Sequence, residues 1–179
     1  AYLDQLVSLI DTLPDTNPKK ISLSQNIATV YQYFGLFKTA IRYFQVAING
    51  NQQNGNHRGL GLALANLGLL YDEMEDHEKA INTSKEAMQY LRDVKMPFAQ
   101  TASNIAEYYL GARQIDSALY YLQQSMEVEK LINNNEIRTI NTNLLSLIYL
   151  SRKKYDSAAI LLRNNLDQLS GSGNHWVLV

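Results

Sequence analysis

The sequence predicts an all-α fold, a right-handed superhelical α-solenoid of helix hairpins with a period of about 38–40 residues. Three observations carry this expectation. Four times a tyrosine is followed nine residues later by an alanine, at Tyr31/Ala40, Tyr71/Ala80, Tyr109/Ala118 and Tyr149/Ala158, with the alanines 40, 38 and 40 positions apart. Apolar residues recur at i, i+3, i+4 and i+7, as in Leu60, Leu64, Leu67 and Tyr71, and no segment sustains the period-2 alternation of a strand. The three prolines, Pro14, Pro18 and Pro97, fall between the helical patterns, where a residue without an N–H interrupts no ladder.

Taken in order, residues 1–12 form a leading helix, ended by Leu13-Pro14-Asp15-Thr16-Asn17-Pro18. The first repeat, 19–54, holds helices over 19–34 and 37–53. The second, 56–94, holds 57–74 and 77–94, divided near Glu75-Asp76. The third, 97–134, holds 97–111 and 115–132, and the fourth, 136–170, holds 136–151 and 154–169. Gly55-Asn56-His57 returns as Gly173-Asn174-His175 at an offset of 118, the distance from Ala40 to Ala158. Each asparagine is placed to cap the first helix of a repeat, so residues 174–179 are expected to begin a fifth. The whole of 1–179 is then one repeat domain, expected to be a piece excised from something longer.

The small residues have a packing reason. Ala28, Gly68, Ala106 and Ser146 on first helices, and the four register alanines on second helices, let paired helices approach to about 8–10 Å. The tyrosines can bury a ring between helices while the hydroxyl reaches a polar partner. One hairpin cannot bury its apolar stripe alone, and stacked neighbours complete the core.

Composition excludes several function classes. With 46% hydrophobic residues the chain is neither disordered nor membrane-spanning in character. Sixteen basic against seventeen acidic residues, a net charge of -1, leave no footprint for nucleic acid or an anionic membrane. No apolar run approaches the roughly 20 residues of a spanning helix. There is no cysteine, which removes disulfides, thiolate catalysis and cysteine metal sites. That composition fits the cytosol or an oxidising compartment, and a periplasmic location is expected ahead of a cytoplasmic one.

The register resembles the tetratricopeptide repeat. The marks of that family are a large residue, Leu-Gly, an aromatic three residues on and an alanine twelve after the glycine. The second repeat carries them as Leu64, Leu67-Gly68, Tyr71, Ala80 and Ala87. The others match more loosely, as Ile27-Ala28/Tyr31/Ala40/Phe44/Ala47, Ile105-Ala106/Tyr109/Ala118/Leu122 and Leu145-Ser146/Tyr149/Ala158/Leu162. The period exceeds the usual 34 residues by four to six, as in long-repeat members such as motor adaptors and peptide-sensing bacterial regulators. The opening, from Leu6 to Thr16, is similar to the start of repeat regions in bacterial sensor kinases and transcriptional regulators.

The resemblance implies a ligand groove on the concave face, lined by first helices. The positions falling there are Ser22, Gln25, Asn26, Thr29, Gln32 and Tyr33, then Leu62, Ala65, Asn66, Leu69 and Asp72. The third repeat adds Gln100, Ser103, Asn104 and Glu107, and the fourth Asn143, Leu147 and Leu150. Asn26, Asn66 and Asn104 share one repeat position. An amide can donate to and accept from an extended peptide backbone; the other reading is a structural hydrogen bond repeated with the fold. Family members that grip a C-terminal carboxylate use Lys, Asn and Arg, but here Gln25 and Gln100 take the lysine positions and Asn104 the arginine position. Only Asn66 survives, so no cation is placed to pair with that anion.

No catalytic constellation is legible. His57, His77 and His175 do not form a metal-ligand pattern, and no cofactor or metal is expected. Gly59-Leu60-Gly61 runs on into Leu62-Ala63-Leu64 and is not a dinucleotide loop. Met88-Gln89-Tyr90 and Tyr120-Tyr121 read as core aromatics, with a self-association face and a weak homodimer as the alternative. The expected function is a non-enzymatic module binding a protein or peptide. By resemblance it is the sensor or interaction region of a bacterial signalling or regulatory protein; an assembly scaffold or adaptor is the alternative.

Overall fold

Helix follows helix throughout the computed structural model of the protein, which describes residues 2–171. The elements are α1 (Tyr2–Asp11), α2 (Pro18–Tyr33), α3 (Phe37–Gln53), α4 (His57–Glu73), α5 (His77–Leu91), α6 (Lys95–Gly111), α7 (Ile115–Ile132), α8 (Asn135–Ser151) and α9 (Tyr155–Gly171). Among the described residues there is no strand. The chain divides into two compact units, Ala1–Thr101 and Ala102–Val179. The expected start of a fifth repeat, 174–179, and His175 with it, lies outside the described residues.

Four helix starts, those of α2, α4, α5 and α8, follow from short polar side chains. Asn17 caps α2, its Oδ1 accepting from the Lys19 N–H at 2.9 Å, and Pro18 takes the first helical position. Asn56 caps α4 by accepting from the Gly59 N–H at 3.1 Å and donates through Nδ2 to Asn51 at 2.7 Å. Gly59 serves that cap, since a Cβ there would lie 2.1 Å from the Asn51 Oδ1. Asp76 caps α5 and Asn134 caps α8. Pro18 and Pro97, expected between helical patterns, lie inside first turns: Pro18 opens α2, and Pro97 is the third residue of α6, which starts two residues before the expected 97. The first-turn N–H groups have no intrahelical partner, so proline there sacrifices nothing.

The hairpin turns share one backbone geometry. The residue two after each first helix is left-handed: Gly35 (φ 70°), Glu75 (60°), Arg113 (58°) and Lys153 (57°). In each the register tyrosine carbonyl accepts a main-chain bond from the residue five on. Leu36 donates to Tyr31, Asp76 to Tyr71, Gln114 to Tyr109 and Lys154 to Tyr149, at 2.8, 2.9, 2.8 and 2.8 Å. This is the Schellman closure of a helix C-terminus. The tyrosine–nine–alanine spacing thus spans a fixed turn that brings the second helix back onto the first.

In the first unit, α2 packs on α3, α3 on α4, and α4 on α5, with α1 against α2. Ile21 and Ile27, Tyr43 and Phe44, Leu60, Leu64, Leu67 and Leu70, and Leu91 form one continuous core. Tyr31 stacks on Tyr43 with ring centroids 5.8 Å apart. The buried amine of Lys20 donates to the Leu13 carbonyl at 2.7 Å and pairs with Asp15 at 2.7 Å, pinning the connection from α1. Ala28, Ala40 and Ala80 are fully buried, as the packing argument requires.

The second unit has a different interior. Ile105, Ala106, Ala118, Leu122, Ile137, Leu144 and Ile148 are buried, but polar groups are buried with them. Ser103 of α6 and Ser125 of α7 lie 2.8 Å apart, oxygen to oxygen, and donate to the Oδ1 of Asn141 on α8 at 2.8 and 3.0 Å. In the second repeat the positions of the two serines hold Ala65 and Ala87. Nearby, the buried Glu129 carboxylate accepts from Arg138 at 2.9 Å, which offsets the desolvation of its charge. Tyr121 is half-buried and stacks on Tyr109 at 5.6 Å, whereas Tyr120, expected in the core, is exposed. Two adjacent helical residues point about 100° apart, so a pair cannot share one buried stripe.

Candidate functional site

The first helices of the hairpins carry the expected site residues, and each unit presents its own set. In the first unit α2 places Asn26 and Thr29 at the surface with Gln25 and Gln32 half-buried beside them. On α4, Asn66 and Asp72 are half-buried and Leu69 is exposed; Gln100, in the first turns of α6, is half-buried. Gln32 donates through Nε2 to the Glu73 Oε1 at 2.7 Å, which ties the C-terminal ends of α2 and α4 together. Asp72 faces His77, with Oδ1 and Nδ1 2.9 Å apart. Thr29 returns its hydroxyl to the Gln25 carbonyl at 3.1 Å.

In the second unit Asn104 is half-buried, and Glu107 and Asn143 are exposed. Asn143 accepts from Asn165 of α9 at 3.4 Å. Ser103, expected to line the groove, is instead fully buried in the Ser125–Asn141 cluster. It lies one position from Asn104, on the side of α6 that faces α7 and α8.

Asn26, Asn66 and Asn104 show a common behaviour. Their side-chain amides make no hydrogen bond to another described residue, and none is fully buried. A structural bond repeated with the fold is therefore absent at this position among the described residues. Glu73, His77 and Asn165 are polar partners that reading by repeat position missed. Glu73 is 41 residues from Gln32, one more than the period, so equivalence alone does not pair them.

Among the described residues no group of three or more His, Asp or Glu side chains is placed to hold a metal. His57 stacks on Tyr90 at 5.9 Å, a packing role. Gly59 and Gly61 lie within α4. No described helix is long and apolar enough to cross a membrane.

These hairpins, with small residues at the helix contacts and a first-helix face of neutral polar side chains, define a helical-repeat protein of the α-solenoid class. Residues 20–93 match the family model described as tetratricopeptide repeat. Tetratricopeptide repeats generally mediate protein–protein interaction, and the fold is typically a non-enzymatic module. Among solved structures, the chain is similar to a putative kinesin light chain from Podosopora anserina with nearly identical TPR-like repeats. The two are 16% identical over 94% of this chain and 85% of that one, with a TM-score of 0.75. BtubC (BKLC) from P. vanneervenii is 14% identical over 99% of this chain and 74% of that one, with a TM-score of 0.79. Aspartyl phosphate phosphatase F from Bacillus subtilis is 16% identical over 93% of this chain and 44% of that one, with a TM-score of 0.81. At these identities the likeness is one of fold. No curated protein matches the chain.

Proposed function

We propose that the chain is a non-enzymatic module that binds extended protein segments on the first-helix faces of the hairpins within each unit. The observation that carries this reading is the amide set Asn26, Asn66 and Asn104, whose donors and acceptors are left unused by the described residues. Such amides suit a peptide backbone, to which they can both donate and accept. In the first unit Gln25, Thr29, Gln32, Leu69, Asp72 and Gln100 accompany Asn26 and Asn66, and in the second Glu107 and Asn143 accompany Asn104; these would supply shape and selectivity within each unit. The absence of a cation at the clamp positions argues for main-chain recognition over capture of a terminal carboxylate.

The test is a peptide array probed with the folded protein, followed by titration of the captured peptides. Asn66→Ala and Asn104→Ala should each weaken binding several-fold while circular dichroism is unchanged. Binding that survives both substitutions in a folded protein overturns the reading. The resemblance of the Leu6 to Thr16 opening further supports a place in a bacterial signalling or regulatory protein. Sequencing the encoding gene tests that context, which fails if no effector domain is encoded with the repeats.

A further inference from the structure

We infer that the tips of the first two hairpins form a docking surface for a cationic peptide segment with an apolar anchor. This rests on the peptide-binding reading and names the chemistry of a partner at one end of that face. At the first tip Tyr33 is 85% exposed and Phe34 65% exposed, packed edge to face with ring centroids 5.4 Å apart. Met74, the repeat equivalent of Phe34, is exposed at the second tip. The Gln32–Glu73 hydrogen bond of 2.7 Å joins the C-terminal ends of α2 and α4, so the two tips are neighbours.

The fold does not require these side chains. All four hairpin turns close with the same left-handed residue and the same main-chain bond to a tyrosine carbonyl. Yet the positions of Tyr33 and Phe34 hold Gly111-Ala112 and Ser151-Arg152 in the later hairpins. The later turns adopt the same backbone geometry without an aromatic pair. Two large rings held in water are therefore unexplained by folding, and such rings are the usual anchors of an interface.

Charge selects the occupant. Five carboxylates fall within residues 72–78, against Lys38 and Lys79 as the lysines at these tips. Lys79 is already paired with Asp76, and Asp72 faces His77. Glu73 accepts from a neutral glutamine, which leaves its charge intact, and Glu75 and Glu78 form no ion pair among the described residues. A second copy of this chain would bring the same carboxylates against themselves in a two-fold contact, and an anionic membrane would be repelled. A segment with Lys or Arg beside a large apolar residue satisfies both halves of the surface.

The test uses three fluorescein-labelled twelve-residue peptides with one Leu-Trp-Leu anchor, flanked by Lys/Arg, by Asp/Glu or by Ser, followed by anisotropy. The Lys/Arg peptide should bind tightest, and should weaken as salt rises from about 50 to about 300 mM. Tyr33→Ser with Phe34→Ser should weaken it by about tenfold or more. Glu73→Gln with Glu75→Gln should weaken it and flatten the salt dependence. Equal binding of the acidic or neutral peptide, or indifference to Tyr33→Ser/Phe34→Ser in a folded protein, overturns the inference. So does light scattering that shows a dimer abolished by the same double substitution, since a second copy would then be the occupant. Asn66→Ala separates the two readings. Peptides that depend on Asn66 alone leave the amide face standing and remove the tips, and dependence on Phe34 alone does the reverse.

Discussion

Gly68 of α4 lies against Ser84 of α5 so closely that a Cβ built on the glycine would come within 2.2 Å of the serine Oγ. The Ser84 hydroxyl is buried and has no hydrogen-bond partner among the described residues. The same built Cβ would meet the Ser84 Cβ at 3.5 Å and the Ala80 carbonyl at 3.4 Å, which are ordinary contacts. Only the hydroxyl stands in the way. Ser84→Ala is therefore expected to stabilise by about 1 kcal/mol, by removing an unsatisfied buried group. Gly68→Ala in that background should add about 0.5–1 kcal/mol from helix propensity, but should be neutral or unfavourable with Ser84 in place. Urea unfolding of the four proteins of this cycle measures the coupling.

Ala80 and Ala118 are fully buried at the contacts between first and second helices. Ala80→Leu or Ala118→Leu should cost about 1–3 kcal/mol by overpacking. Thermal unfolding by circular dichroism reads this directly, and an unshifted midpoint in both variants would contradict the packing role of the register alanines.

The left-handed turn residues offer a paired test of opposite sign. Gly35→Ala places a Cβ at φ 70° and should destabilise by about 1 kcal/mol. Arg113→Gly relieves that strain at φ 58° and should stabilise by up to about 1 kcal/mol, reduced by the added freedom of the unfolded chain. Chemical denaturation midpoints should move in opposite directions.

Asp76 supplies a pH dependence. The side-chain hydrogen bond from Lys79, then the main-chain bond from the same residue, hold its carboxyl below the ordinary 3.8. A depressed carboxyl contributes stability above its unfolded value and loses it as pH falls through the folded one. The contribution should be complete at neutral pH and fade below 3.8. Asp76→Asn keeps the cap acceptor and loses the ion pair. Its melting temperature should lie below the parent's near pH 7 and converge with it in acid.

Much of the fold is legible because helix periodicity and capping are local. Leu60, Leu64, Leu67 and Tyr71 announce a helix stripe within a dozen residues, and Asn56 caps as its position suggests. Pro97 misleads because proline ends a helix or enters its first turn under similar local signals. Glu75, Arg113 and Lys153 hide their left-handed turns because the glycine that would mark them stands only at Gly35 among the four. Repeat position names the first-helix set, and all of it but Ser103 is exposed or half-buried. Ser103 escapes, because its partners Ser125 and Asn141 lie 22 and 38 residues away on other helices.

By itself the sequence determined the repeat, its register and which helix faces pack, since each follows from side-chain spacing along one helix and small residues at fixed positions. Tertiary structure alone decided which polar groups meet. It joined Gln32 to Glu73, buried Ser103 with Asn141, and left Asn26, Asn66 and Asn104 without a described partner. The reason is geometric. A hydrogen bond forms or fails over a few tenths of an ångström, and the distance between side chains on different helices is set by the packing of both.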